Sequence, residues 1–175
     1  MSTAVNTLPD DHTFVSTRNP CKVCTPLGAT LAFSGVKGCI PLLHGSQGCA
    51  TYIRRYMIGH FREPVDVASS NFHEETAVFG GAVNLATAIR NVTDQYNPEL
   101  IGIATTCLSE TIGDDVPMFL REIRTQVSEA ALPELVHVST PSYNGSHAHG
   151  FYGTIRALVE HFAAKTSPGA HINLL

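Results

Sequence analysis

Short apolar runs alternate with segments of helical period along this chain. GCIPLLHG (38–45), VDVASS (65–70), LIGIATTC (100–107) and ELVHVST (134–140) read as strands. LIGIATTC is apolar without alternation, the mark of a strand covered on both faces of a parallel sheet. SQGCATYIRRYMIGHF (46–61) reads as a helix with Ser46 placed to cap it. Leu85, Ile89, Val92 and Tyr96 recur at helical spacing between Ala82 and Tyr96. Val116, Phe119, Leu120, Ile123 and Val127 mark another helical face from Asp114 to Val127, and Ile155, Leu158, Val159 and Phe162 a last one. Thr25-Pro26 looks like one more helix start.

Strand and helix thus alternate about four times, which predicts an α/β fold: a three-layer, Rossmann-like domain with a mostly parallel sheet. Residues 1–20 are polar and aperiodic and read as an N-terminal arm, with the domain over 21–170. The chain stops on HINLL, an apolar run like a strand just begun. Residues 171–175 are therefore expected to start a next segment, and the chain to be part of a longer polypeptide.

Composition narrows the classes. Of 175 residues, 43% are hydrophobic and only 15% charged, against the usual quarter or so, which fits a surface partly covered by a partner. A net charge of −4 gives no electrostatic footprint for nucleic acid. No apolar run of about 18 residues exists, so no membrane span is expected. The opening MSTAVNTLPDDHTF lacks the features of a signal peptide, and a cytoplasmic protein is expected. Five cysteines, an odd number, then read as reduced thiols rather than as a disulfide framework.

In open α/β sheets, ligands bind beyond the carboxyl ends of the strands. HGSQGC puts Cys49 in the first turn of a helix after the first strand, ATTCLSETIGDD ends a strand at Cys107, and TPSYNGSH puts Ser142 just past the fourth strand. CKVCTPLGA puts Cys24 at a helix entry. A helix N-terminus lowers a thiol pKa, so Cys49 and Cys24 are expected to ionise readily. Gly45 and Gly48 flank the Cys49 turn and leave room for a bulky group. Any one cysteine alone is as easily a packed core residue, and Cys21 and Cys39 are read that way.

Three chemistries compete for the other thiols. Zinc usually takes two close ligand pairs, but only Cys21 and Cys24 form one, even with His44 as a helper. A thioredoxin-type dithiol needs a strand ahead of it, whereas STRNP precedes this one. Thiolate ligation of an iron–sulfur cluster from separate loops fits best, and fewer than four ligands imply a cluster shared with another subunit. Of the remaining polar residues, Asp114-Asp115 read as acids favouring a helix N-terminus, and His60 and Arg62 as a helix C-terminus. His147 and His149 are weak metal candidates.

CTPLGATLAFSGVKGCIPLLHGSQGC, HFREPVDVASS, AVFGG, IATTCLSETIGDD and TPSYNGSH, in this order, resemble the β-type subunits of the nitrogenase component 1 family. The likeness runs from about Arg18 to the end and covers the first of three α/β domains of such a subunit. It implies an α2β2 heterotetramer with an α-type partner, served by an ATP-dependent iron–sulfur reductase homodimer. It implies a P-type iron–sulfur cluster shared between α and β subunits, with Cys24, Cys49 and Cys107 at the β-side ligand positions. Ser142 matches the family's serine at that cluster, and Tyr52 an aromatic position close to it; Cys21 and Cys39 match no ligand position. No substrate would bind on this chain, which would relay electrons as a subunit of an oxidoreductase. The alternative within the resemblance is the scaffold complex for iron–molybdenum cofactor biosynthesis, which TYIRRYMIGHF and CTPLGA favour. Nitrogenase-like reductases acting on carbon–sulfur or tetrapyrrole substrates form a third branch.

Overall fold

Four of the apolar runs pair into one sheet. The fold is given by a computed structural model that describes residues 23–126 and 132–163. The arm, Cys21, Val127 and residues 171–175 lie outside the described residues. The chain runs α1 (Thr25–Ser34), β1 (Cys39–His44), α2 (Gln47–Phe61), β2 (Ala68–Ser69), α3 (Glu74–Phe79) and α4 (Ala82–Tyr96). It continues β3 (Leu100–Thr105), α5 (Cys107–Ile112), α6 (Val116–Gln126), β4 (Glu134–Val138), a 3-10 turn (Ser142–Asn144) and α7 (His147–Ala163). All strand pairs are parallel, in the order β2-β1-β3-β4. The predicted α/β class with a mostly parallel sheet stands.

Side-chain alternation along the strands builds the two outer layers. Leu43, Leu100, Ala104, Val136 and Val138 face one way and pack with Ala29 and Phe33 of α1, Ile53 and Met57 of α2 and Leu158 of α7. Leu42, Ile101, Ile103 and Leu135 face the other way, against Leu85, Ile89 and Val92 of α4 and Val116, Leu120 and Ile123 of α6. Successive strand residues thus serve opposite cores, as the period of two requires. Every residue of β3 is buried, which explains its unbroken apolar run.

Several boundaries differ from the sequence pattern. VDVASS pairs only at Ala68 and Ser69, because β2 is an edge strand with a single neighbour. The helix expected from Asp114 begins at Val116, and Asp115 accepts a hydrogen bond from the Met118 N–H at 2.9 Å, the local capping role expected of an acid there. Asp114 does something else, described below. Ser46 occupies the cap position of α2 without a side-chain capping bond. His60 lies in the last turn of α2, and Arg62 ends it in the left-handed conformation, φ 58°, with its N–H on the Ile58 carbonyl.

Close helix approach fixes where α1 enters the site. A Cβ on Gly28 would lie 1.8 Å from the His147 carbonyl oxygen, and one on Gly150 1.9 Å from the Thr25 carbonyl oxygen. The backbones of α1 and α7 therefore touch, and His147 N–H donates to the Val23 carbonyl at 2.8 Å. Gly28→Ala forces the two helices apart, since the obstacle is backbone. The expected cost is about 1–3 kcal/mol or more, read as a lower denaturant midpoint, with Ser34→Ala on exposed helix surface as the unaffected comparison.

Candidate functional site

The order β2-β1-β3-β4 contains a reversal. The chain leaves β1 toward β2 and returns to the far side of β1 with β3. The carboxyl ends of β1 and β3 border the crevice that such a reversal opens. Their register pairs His44 with Thr105, so the turns that follow, Gly45–Ser46 and Thr106, start level with each other. Cys49 is the third residue of α2, and Cys107 is the first of α5. The short connection from α1 to β1 sends α1 back toward the opposite end, so its N-terminus, capped by Cys24, lies at the same edge.

A cleft of about 400 Å³ forms there, lined by Cys24, Cys49, Cys107, Tyr52 and Ser142, with Thr106 and Pro26 among its walls. All five residues singled out as site candidates in the sequence border it. The Ser142 N–H donates to Cys107 Sγ at 3.3 Å, and Ser142 Oγ accepts the Thr25 N–H at 3.2 Å. Ser142 therefore ties the start of α1 to the start of α5 across the cleft. Ser46 Oγ lies 4.0 Å from Cys49 Sγ. Tyr52 is 58% exposed, and its hydroxyl is 2.8 Å from that of Tyr56, one turn along α2.

The thiols differ in environment. Cys49 is exposed, while Cys24 and Cys107 are half-buried. Burial pushes the Cys24 thiol above its ordinary value, and the neighbouring Cys49 and Cys107 push the same way; its hydrogen bond with the Leu27 backbone opposes them. The expectation that a helix N-terminus would lower Cys24 is thus corrected: desolvation outweighs the helix end. Cys39 stands at the opposite end of β1, where burial raises its thiol to about 12, in keeping with a packed residue.

The donor set fits a large sulfur-ligated group. Three thiols, a hydroxyl and an N–H already directed at sulfur surround the cleft. Among the described residues no three His, Cys, Asp or Glu stand close enough to hold a single metal ion. His44, the possible zinc helper, turns away: Nδ1 is 3.1 Å from Ser70 Oγ and Nε2 3.1 Å from Asp114 Oδ2. His147 and His149 do not line the cleft, and His149 Nδ1 accepts the Ser146 N–H at 3.2 Å. Sequence reasoning missed the His44–Asp114 contact; the only signal was that both lie in motifs that carry cysteines.

One further buried base stands apart. Burial lowers His137 on β4 to about 4, and its Nε2 has no hydrogen-bond partner among the described residues. Between about pH 4 and 6.5 the unfolded chain binds this proton and the folded chain does not, so stability falls as pH drops through that window. His137→Leu removes that contribution. The difference in unfolding free energy between pH 7 and pH 4.5 should shrink by about 2 kcal/mol, measured by denaturation at the two pH values.

Fold and cleft together define the class: a doubly wound α/β domain presenting cysteine thiols at its switch point. The family profile described as nitrogenase component 1 type oxidoreductase matches residues 24–175. The chain belongs to that family. It is 42% identical over 151 residues to the nitrogenase molybdenum-iron protein beta chain of Clostridium pasteurianum, a match covering 85% of this chain and 32% of that one. The corresponding beta chain of Methanothermobacter marburgensis is 42% identical over 146 residues, covering 81% and 32%. Among solved structures, nitrogenase Cp1 at pH 6.5 superposes with a TM-score of 0.78 at 42% identity, covering 82% of this chain and 31% of that one. The chain spans about a third of the length of these relatives.

Proposed function

We propose that this chain serves as the cluster-binding domain of a β-type subunit in a nitrogenase-type oxidoreductase, supplying half the thiolates of an iron–sulfur cluster shared with an α-type partner. The observation that carries the reading is the convergence of Cys24, Cys49 and Cys107, from three separate helix starts, on one cleft with Ser142. The names of the relatives agree with it. A shared cluster also accounts for an exposed Cys49 beside an exposed Tyr52, since a partner would cover both.

The chain's own residues have definite tasks. Cys24, Cys49 and Cys107 bind iron as thiolates, and ligation offsets the burial that raises free Cys24. The Ser142 N–H, 3.3 Å from Cys107 Sγ, stabilises negative charge on that sulfur, and the Ser142 hydroxyl, at the cleft wall and accepting the Thr25 N–H, is a further oxygen donor. Pro26, Ile53 and Thr106 wall the cleft on this side and limit the access of water. When bound, the cluster supplies one-electron storage between an ATP-driven reductase and a metallocofactor on the α-type partner. The assembly would be a cytoplasmic α2β2 heterotetramer.

The full set of three thiols favours this relay over the cofactor-assembly scaffold. Turnover of substrate with the reductase and ATP supports the relay, and transfer of cofactor to another apo-protein supports the scaffold. The ligand assignment is tested on protein produced anaerobically with its α-type partner. Cys49→Ala should lower iron per complex by half or more, while Cys39→Ser at the far end of β1 should leave it unchanged. Equal iron in the Cys49 variant and the parent would remove Cys49 from the ligand set.

A further inference from the structure

A buried polar network lies just behind the cysteine cleft, and no ligand role touches it. His44 is fully buried, and the Asp114 side chain is 4% exposed. The partners settle the proton positions on the ring. Nε2 faces a carboxylate oxygen at 3.1 Å and so carries the hydrogen, which leaves Nδ1 to accept from the Ser70 hydroxyl at 3.1 Å. Burial lowers the pKa of His44 and outweighs the pull of Asp114, so the ring is held neutral. Ser70 Oγ accepts the Gly45 N–H at 2.9 Å, and both Asp114 oxygens accept the Gly81 N–H at 3.1 Å. Phe72 packs edge-on against the ring at a centroid distance of 4.8 Å. Each ring nitrogen is satisfied, which makes the network rigid rather than costly.

Its outlet is the backbone that carries the thiols. The His44 carbonyl accepts two hydrogen bonds from Thr106, the N–H at 3.1 Å and the hydroxyl at 3.2 Å. Thr106 immediately precedes Cys107. On the other side, His44 leads through Gly45 and Ser46 into the turn of Cys49, and Gly45 is held by Ser70. The contact is tight: a Cβ on Gly45 would lie 2.0 Å from Thr106 Oγ1. Asp114 also returns to the Cys107 helix, its N–H donating to the Ser109 carbonyl at 3.1 Å. The two partners of the ring thus reach both turns, Ser70 at Gly45 ahead of Cys49 and Asp114 at Ser109 of the Cys107 helix, beside the main-chain link through Thr106.

We propose that His44, clamped by Asp114 and Ser70, is the positioning residue of the thiol cleft, holding Cys49 and Cys107 at the spacing their shared ligand requires. It touches no ligand atom and acts through the two turns. The inference rests on the thiolate reading above and deepens it. Partners one step removed from a ligand commonly change metal affinity about 10–100-fold, and this network serves two ligands at once. The role is geometric. An amide at position 114 can accept from Gly81 and donate to a ring that has exchanged its proton to Nδ1, with Ser70 then accepting. Alanine there can do neither.

The test uses the protein produced anaerobically with its α-type partner: the parent, Asp114→Ala, Asp114→Asn and Ser70→Ala. Two quantities are read at a temperature where circular dichroism shows every complex folded. One is the rate at which a ferrous chelator extracts iron; the other is the midpoint potential of the bound cluster, which a loss of global stability alone would not move. Extraction about 10–100-fold faster is expected for Asp114→Ala, with a displaced potential. Asp114→Asn should stay close to the parent, and Ser70→Ala should fall between. Parent-like extraction and potential in Asp114→Ala overturn the inference, as does equal lability of the Asn and Ala variants. If Asp114→Ala does not fold, Ser70→Ala decides by the same two readings. A parent complex without iron overturns the thiolate reading and this inference with it.

Discussion

The parallel pairing of β1 with β3 is the constraint on which the rest depends. Its register sets His44 opposite Thr105, so the two strands end level with each other. Cys49 and Cys107 both lie within a few residues of those ends. A slip of one residue would turn every strand side chain to the opposite core, and Leu42 and Leu43 could not both be buried correctly. The two apolar cores thus hold the site in place, although neither contains a site residue other than the flanking Cys24.

Convergence follows from topology rather than from local motif. Helices α2 and α5 start at the carboxyl edge because each follows a strand, and α1 starts there because it runs back against β1. The backbone contact at Gly28 and Gly150 then fixes the lateral position of α1. Ser142 completes the arrangement by hydrogen-bonding both to the Thr25 N–H and to Cys107 sulfur. The thiol of Cys24 is left costly to ionise by itself, which suits a ligand whose charge is neutralised on binding metal.

Much of this was legible in the sequence, for identifiable reasons. LIGIATTC and GCIPLLHG announce buried strands because both faces are covered, and α4 and α6 show a one-sided stripe. The start of α1 showed in Thr25-Pro26, but its extent did not, because apolar residues surround it and leave no stripe. Six-residue helices such as α3 and α5 are too short to display a period. Cys49 and Cys107 were visible as cysteines just past strand ends, and Cys24 as a cysteine at a helix entry. The partnership of His44 with Asp114 was not, because it joins residues 70 positions apart and its acid also suits a helix start. The sign of the Cys24 shift was missed for a related reason: burial depends on the packed fold, whereas a helix end can be read locally.

On the proposed reading, three thiols of this chain hold iron with a partner's help. Its most direct test is the iron and acid-labile sulfide content of the unaltered protein, purified without oxygen in complex with its α-type partner. A brown complex rich in both is expected. A colourless, iron-free complex would contradict it.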